Sequence, residues 1–300
     1  MNVPILDLGR VHRRIASQLN ERWRRILDQS SFILGPEVKE FESAFAAFLG
    51  VEACVGLANG TDALLLGLRA LGVKPGDEVI VPAFSFFATA EVVALLGAQV
   101  VFCDVDPVSL NLDPADVAAR ITERTVGVIG VHLYGRPFDV DALLAVCQRR
   151  GIWLFEDAAQ AHGAEWKGKK VGGFGQLAAW SFYPTKNLGC FGDGGAVSGN
   201  DRALVQHVFS LANHGQTVRY THHEIGTNSR LDSLQAAVLN CRLALLAEDN
   251  ARRGEIACRY HGALNGVGDL RLIPDPPGVR TVYHQFTVRT ARRDELAAHL

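Results

Sequence analysis

Residues 178–198 read AAWSFYPTKNLGCFGDGGAVS, a stretch that places one lysine between two predicted strands. The apolar run Ala178–Phe182 predicts a buried strand, and Gly195–Ser198 predicts a second one. Lys186 and the glycine-rich stretch 189–195 lie between them. The carboxyl ends of parallel strands are where open α/β sheets bind ligands, and glycines allow a close approach of the backbone. A desolvated lysine there would have a lowered pKa and act as a nucleophile. An ordinary surface lysine in a glycine-rich loop is the alternative interpretation of Lys186.

The chain on either side of this stretch alternates between short strands and helices. Apolar runs predict further strands at 53–57, 78–81, 99–104, 125–132 and 153–156, and a periodicity near 3.6 predicts helices at 61–71, 88–96, 114–121 and 140–149. This alternation is typical of an α/β fold with a mostly parallel central sheet and helices on both faces.

The end of the chain has a different pattern. A long helical pattern covers Ser229–Leu264, Pro274–Pro277 breaks it, and a strand at Val282–Val288 and a helix at Arg292–Leu300 follow. We therefore predict a large domain at residues 1–245 and the start of a small C-terminal α+β domain at 246–300. The small domain is expected to be incomplete, because one strand and part of a helix do not make a finished domain.

Composition and charge narrow the function classes. Hydrophobic residues make up 48% of the chain and charged residues 21%, as in globular domains, and the formal net charge of -2 offers no basic surface for nucleic acid. No apolar run is long enough to span a membrane, and residues 1–4 do not begin a signal peptide. The six cysteines lack metal-ligand spacing and predict reduced thiols in a cytoplasmic protein.

A second chemical signal is the acid at the end of a predicted strand, in Phe155-Glu156-Asp157-Ala158-Ala159-Gln160. Pyridoxal phosphate (PLP) requires a carboxylate that keeps its pyridine nitrogen protonated, and Asp157 could supply it. A helix-capping or turn aspartate is the alternative interpretation.

A third signal is the turn Gly56-Leu57-Ala58-Asn59-Gly60-Thr61-Asp62, where a strand leads directly into a helix. Free N–H groups at a helix N-terminus suit a phosphate, although Asn59 or Thr61 could simply cap the helix. Together the three signals lie at one edge of the predicted sheet. The sequence contains no dinucleotide-binding glycine motif, phosphate-binding Walker loop, zinc signature or Gly-x-Ser-x-Gly elbow.

Several motifs resemble, in order, those of the DegT/DnrJ/EryC1/StrS family of PLP-dependent sugar aminotransferases. The matching segments are Ile33–Val38, Asn59–Leu64, Val81–Phe86, Glu156–Gln160, Ser181–Gly189, Gly192–Ala196 and Gly226–Asp232. The resemblance covers nearly the whole chain and implies the aspartate-aminotransferase fold (fold type I).

The resemblance also implies a role for each site residue. Lys186 would bind PLP as a Schiff base and later transfer a proton, and Asp157 would pair with the pyridinium nitrogen. Gln160 would bind the phenolic oxygen and Phe86 would stack on the ring, with core packing as the alternative for Phe86. The remaining contacts would be to the phosphate, from Gly60, Thr61, Asp62, Ser181 and, across a homodimer interface, Asn228. Possible substrate-side groups are Tyr183, His162, His214 and His223.

The implied reaction moves an amino group from L-glutamate to a nucleotide-linked keto-sugar. Three alternatives stay open. A sugar dehydratase of the same family would carry histidine in place of Lys186. A non-catalytic regulator would bind the cofactor or a sugar nucleotide, and a truncated fragment would lack the rest of the small domain.

Overall fold

A seven-stranded sheet lies at the centre of the structure, a computed structural model that describes residues 7–300. Residues 1–6, on which the signal-peptide prediction and the start of the predicted large domain fall, lie outside the described residues. The strands are β1 Ala53–Leu57, β2 Glu78–Pro82, β3 Gln99–Cys103, β4 Thr125–Val131, β5 Trp153–Asp157, β6 Glu165–Trp166, β7 Lys169–Lys170, β8 Leu177–Ser181, β9 Gly195–Gly199, β10 Gln216–Val218, β11 Thr221–His222, β12 Arg271–Leu272, β13 Val279–Arg280 and β14 Val288–Arg289.

The order of the strands in the central sheet is β1-β9-β8-β5-β4-β2-β3. Only β9 runs against its neighbours, β1 and β8, while the other six strands are parallel. The expectation of a mostly parallel sheet is therefore confirmed. The carboxyl ends of β1, β2, β5 and β8 meet at one edge, and the start of β9 joins them there.

Helices cover both faces of this sheet. The helices are α1 Leu8–Gln29, α2 Pro36–Leu49, α3 Gly60–Ala70, α4 Ala88–Leu95, α5 Pro114–Arg120, α6 Val140–Arg150, α7 Arg202–Ala212, α8 Ser233–Leu243, α9 Leu246–Leu264 and α10 Arg293–His299. Successive residues of β2 separate into different cores, because side chains alternate along a strand. Val79 and Val81 pack with α3, α4 and α7, whereas Ile80 packs with α5 and α6.

The helical pattern predicted over Ser229–Leu264 is helical from Ser233 onward, and it consists of two helices. α8 ends at Leu243 and α9 begins at Leu246. Leu243 and Leu245 both pack against the same buried cluster. Residues two apart on one helix point in nearly opposite directions, because each residue turns the helix by about 100°. The break lets both leucines reach the core.

The strand predicted at Val282–Val288 is also wrong over most of its length. Only Val288 and Arg289 form a strand, paired with β12. Tyr283 has a φ of 45°, which interrupts the extended backbone. The backbone N–H groups of Val282 and His284 donate instead to the carbonyls of Gly135 and Tyr134.

The division at residues 245 and 246 stays a prediction. α9 packs on α8, and the segments after it form the short strands β12–β14 and the helix α10. In the part of the chain that the structure describes, no helix is both long and apolar enough to cross a membrane.

Candidate active site

A cavity of about 680 Å³ opens at the edge of the sheet where β1, β5 and β8 end. Its lining combines residues that are far apart in sequence: Asn59, Gly60, Thr61, Asp62, Ser85, Phe86, Asp157, Gln160, Ser181, Tyr183, Thr185, Lys186 and Asp193 contribute polar or aromatic groups. Lys186 and Asp157 therefore share one cavity. Among the residues predicted to be catalytic or to bind the cofactor, all line it except Asn228.

Asp157 is the last residue of β5 and is 6% exposed. Its Oδ2 accepts a hydrogen bond of 2.8 Å from the hydroxyl of Thr89, and its Oδ1 accepts one of 3.2 Å from the N–H of Ala159. Burial raises the pKa of the Asp157 carboxyl, and the bonds from Thr89 and Ala159 and the nearby charge of Lys186 oppose that rise.

Glu156, the residue before it, has a separate structural role. Its carboxylate lies in the protein interior, 3.0 Å from Nε2 of His132, and accepts N–H donors from Gly172, Phe174 and Gly175. Burial alone would raise the pKa of Glu156, but the contact with His132 and the backbone donors outweigh it, and the pKa is lowered. Side chains alternate along a strand, so Glu156 anchors the loop before β8 while Asp157 lines the cavity.

Lys186 is half-buried in the loop after β8. Its backbone N–H donates to the carbonyl of Tyr183 at 2.8 Å, which closes a turn. Burial lowers the pKa of the Lys186 amine, and the charge of Asp157 partly opposes this. A lysine with a lowered pKa has a larger share of the neutral, nucleophilic amine, as the sequence analysis expected.

The start of α3 lies close to the end of β8. A Cβ atom on Gly60 would stand 2.7 Å from Cβ of Ser181, so only glycine permits this approach. The N–H of Asp62 already donates to Oδ1 of Asn59 at 2.8 Å, so Asn59 is the cap that the sequence left as an alternative. The Asp62 carboxylate in turn accepts a 2.7 Å bond from the hydroxyl of Ser229.

Phe86 and Gln160 complete the wall of the cavity. Phe86 is 70% exposed, so it is available for stacking, and the core-packing alternative for it is wrong. Oε1 of Gln160 accepts a 2.6 Å bond from the N–H of Tyr134. This fixes the amide so that its Nε2 group stays available as a donor.

The four possible substrate-side groups are in different environments. Tyr183 lines the cavity, while His214 and His223 are exposed next to β10 and β11. His162 is completely buried with its ring near Phe45, Trp180 and Phe182, so a substrate-side role for it is wrong. The exposed loop that carries His214 and the buried loop that carries His162 have similar sequences. Sequence alone therefore could not distinguish the exposed histidine from the buried one.

Sequence reasoning missed several polar residues of the site. Thr89 holds Asp157, and Ser85, 3.3 Å from the Thr89 hydroxyl, lines the cavity. Asp193 and Thr185 also line it. Thr89 lies in the first turn of α4, and no local sequence pattern indicates its contact with Asp157.

The model of the DegT/DnrJ/EryC1/StrS aminotransferase family matches residues 13–300. The chain belongs to this family. Family membership confirms the expected α/β fold, the class of PLP-dependent aminotransferases and PLP as the cofactor.

Relatives of this DegT/DnrJ/EryC1/StrS chain extend over its whole length. The dTDP-3-amino-3,4,6-trideoxy-alpha-D-glucose transaminase of Streptomyces venezuelae is 46% identical over 298 residues, 99% of this chain and 79% of the relative. The pleiotropic regulatory protein of Geobacillus stearothermophilus is 44% identical over 302 residues, 100% of this chain and 81% of the relative. The crystal structure of S. venezuelae DesV in complex with a ketimine intermediate superimposes with a TM-score of 0.97 at 46% identity, covering 99% of this chain and 80% of that one.

Proposed function

We propose that this chain transfers an amino group from L-glutamate to a nucleotide-linked keto-sugar, with PLP bound at Lys186. The cavity that brings Lys186, Asp157 and the start of α3 together carries the proposal. The S. venezuelae relative is named for a dTDP-linked 3-amino sugar. This name supports a nucleotide-linked substrate here, with the amino group placed at C3 of the sugar.

The residues of the cavity fit PLP. The cofactor needs an anion site, a carboxylate and an amine around a flat ring, and a cavity of about 680 Å³ provides all three. The close approach of Gly60 to Ser181 is what puts a hydroxyl next to a helix N-terminus. When bound, PLP supplies a protonated pyridine ring that accepts electrons from the reacting carbon.

The phosphate would be held at the N-terminus of α3. The N–H groups of the first helical turn have no partner within the helix and carry a partial positive charge. Gly60, Thr61 and the Ser181 hydroxyl would therefore bind the phosphate oxygens. The N–H of Asp62 is engaged by Asn59, so Asp62 would contribute only when Asn59 releases it.

The ring would be held by three side chains. Asp157 would pair with the pyridine nitrogen, since a buried carboxylate gains most from a cationic partner. The amide Nε2 of Gln160, fixed by Tyr134, would donate to the phenolic oxygen. Phe86 would cover one face of the ring.

Lys186 would carry out the proton transfers. Its amine lines the cavity at a lowered pKa, which suits a general base at neutral pH. It would take a proton from the α-carbon of the donor and return one to the sugar carbon that receives the amino group. Asp157 would keep a negative charge at the pyridine nitrogen during these transfers.

We also propose that the active unit is a homodimer. Asn228 is exposed and does not line the cavity of its own chain, which fits a contact to the phosphate of a second copy. Apolar side chains next to the cavity are exposed as well, including Phe86 and Phe87 at 70% and 72%. A second copy would bury them.

We also propose that the reaction takes place in the cytoplasm.

The dimer can be tested by mixing two inactive variants. In a shared site, Lys186→Ala and Asn228→Ala subunits would form a mixed dimer in which one site has both native residues. We expect activity to recover on mixing. Sites that are complete within one chain would give no recovery, and a monomer by light scattering would contradict the dimer directly.

A visible spectrum tests the cofactor and the donor. Purified protein with PLP should absorb in the visible range, and L-glutamate should bleach this band. Borohydride should fix the cofactor to Lys186, and Lys186→Ala should abolish the labelling. Labelling at another lysine would overturn the assignment. A panel of 3-keto and 4-keto nucleotide sugars with the glutamate-treated protein would then identify the acceptor.

A regulatory function is the second candidate, because one relative 44% identical is named a pleiotropic regulatory protein. A regulator would bind PLP or a sugar nucleotide without turnover. A band that no amino acid bleaches would favour it, while formation of an amino-sugar product would exclude a purely non-catalytic role.

A further inference from the structure

Asn187, the residue after Lys186, has a buried side chain that is fully engaged in hydrogen bonds. Its Nδ2 donates to Oδ1 of Asn250 at 2.9 Å and to the carbonyl of Val282 at 3.0 Å. Its Oδ1 accepts from Nδ1 of His284 at 3.2 Å. An amide has two N–H donors and one carbonyl oxygen, so both donors and the acceptor are used.

These partners belong to two other parts of the chain. Asn250 lies on α9 and is also buried, and its Nδ2 donates to the carbonyl of His162 at 2.8 Å. Val282 and His284 lie on the segment after β13. Asn187 thus ties the lysine loop to α9 and to the segment 282–284.

The same segment also contacts Tyr134, which holds the cavity-lining Gln160. The N–H of His284 donates to the carbonyl of Tyr134 at 2.9 Å, and the N–H of Tyr134 donates to Gln160 at 2.6 Å. The segment 282–284 therefore connects the loop that carries Lys186 with the loop that carries Gln160. The relative position of the Lys186 and Gln160 side chains therefore depends on the segment 282–284.

The ring of His284 is neutral in this environment. Burial and the positive charges of Lys186 and Arg253 lower its pKa to about 3. A neutral imidazole carries one N–H, and the bond to Asn187 requires this proton on Nδ1. Other titratable groups around Lys186 include the fully buried His162 and the cavity-lining residues Asp62, Asp157, Tyr183 and Asp193.

We propose that Asn187 and His284 are positioning residues for Lys186, which tie the lysine loop to the segment 282–284 and hold the amine inside the cavity. The assignment of Lys186 as the reacting amine rests on the proposed function, but the positioning does not. Removing either side chain leaves buried polar groups without partners. The loop would relax outward, water would reach the amine, and its pKa would rise.

The test uses the ligand-free protein, so it does not depend on turnover. Acetic anhydride labelling at a series of pH values, read by mass spectrometry, gives the pKa of Lys186 with the exposed Lys74 as internal reference. We expect Asn187→Ala and His284→Phe each to raise the pKa of Lys186 by about one pH unit, because the group becomes more hydrated. Capture of PLP by borohydride should slow about tenfold, in proportion to the smaller fraction of neutral amine.

Asn240→Ala is the matched control. The Asn240 amide donates to Glu37 between α2 and α8, so this variant also loses amide hydrogen bonds, but none of them is to the lysine loop. If Asn187 had only a structural role, Asn187→Ala and Asn240→Ala would both lower the urea midpoint of unfolding. The pKa of Lys186 would then be the same in both variants.

A Lys186 pKa that is the same in folded Asn187→Ala protein as in Asn240→Ala would overturn the proposal. If Asn187→Ala does not fold, His284→Phe removes only one of the three contacts and decides the question by the same criterion. Failure of the proposed function would give a different result. In the wild-type protein, borohydride would then fix no PLP at Lys186.

Discussion

The hydroxyl of Thr89 donates a 2.8 Å hydrogen bond to Oδ2 of Asp157, and both groups are buried. We propose that Asp157 pairs with the pyridine nitrogen of PLP as a carboxylate, yet burial raises its pKa. The hydroxyl of Thr89 is the main group that opposes this rise. Thr89, which is not itself part of the cavity lining, therefore favours the ionised form of the carboxylate.

We predict that Thr89→Val weakens PLP binding about tenfold, since a hydrogen bond to a charged group contributes about 1.5–3 kcal/mol. The side chain keeps its shape but loses the donor. The pKa of Asp157 would rise further, so the loss of affinity on acidification would begin at a higher pH. PLP titrations followed by fluorescence between pH 5 and 8 measure both effects. Thr89→Ser, which keeps the hydroxyl, should bind PLP normally, and an equal loss in both variants would contradict the prediction.

Gly60→Ala should also weaken PLP binding, because the added Cβ would stand 2.7 Å from Cβ of Ser181. The helix start and the hydroxyl would have to separate, which opens the anion site. Gly262→Ala is the control, as no other atom lies within 4 Å of the Cβ it would add on α9. That change should stabilise the protein by about 0.5–1 kcal/mol and leave the affinity unchanged. Equal PLP affinities in the two variants would show that the approach of Gly60 to Ser181 does not matter.

Phe86 and Phe87 are neighbouring phenylalanines with similar exposure, 70% and 72%, but only Phe86 lines the cavity. We expect Phe86→Ala to weaken PLP binding about tenfold, since an aromatic contact contributes about 0.5–1.5 kcal/mol beyond its buried area. Phe87→Ala should keep the wild-type affinity when both variants are compared as dimers. Equilibrium dialysis with PLP distinguishes the two, and a larger loss in Phe87→Ala would mean that stacking on the ring is wrongly assigned.

Glu156→Gln should destabilise the fold by about 3 kcal/mol at neutral pH, because it removes one partner of a buried pair and places an amide among N–H donors. The folded-state pKa of Glu156 is lowered, so its stabilisation is present above the unfolded pKa of about 4.3 and is lost as the pH falls through the folded value. The difference from wild type should therefore shrink below about pH 4. Urea unfolding at several pH values tests this, and Glu165→Gln, at a more exposed pair with Arg280, should change stability by less than about 1 kcal/mol. A difference that stays constant down to pH 3 would contradict the assignment.

The central sheet could be predicted because its signals are local. Each strand from β1 to β5 is a short apolar run between turn residues, and its end is marked by a polar residue or a helix cap. Asp157 and Ser181 were placed at strand ends by this pattern alone, and parallel pairing then brings strand ends together.

Other features depend on how distant elements pack. The contact of Thr89 with Asp157 requires α4 to lie against the end of β5, and no local pattern specifies that. The break at Ala244 and Leu245 contains neither glycine nor proline, and it follows from the core that both flanking leucines must reach. His162 and His214 each sit in polar-looking segments, and only the packing of α2 on β8 shows that the first is buried.

The adjacent acids Glu156 and Asp157 point to different sides of β5, so the pairing register of this strand decides which of them lines the cavity. A slip of one residue would exchange them, and the cavity would receive a longer acid whose own anchor had been lost. Natural or engineered insertions and deletions near β5 should therefore occur in the loop after α6, where the chain can accommodate them. They should be absent from Trp153 to Asp157. In libraries with random single-residue insertions, survival across these five positions would report how strictly the register is kept.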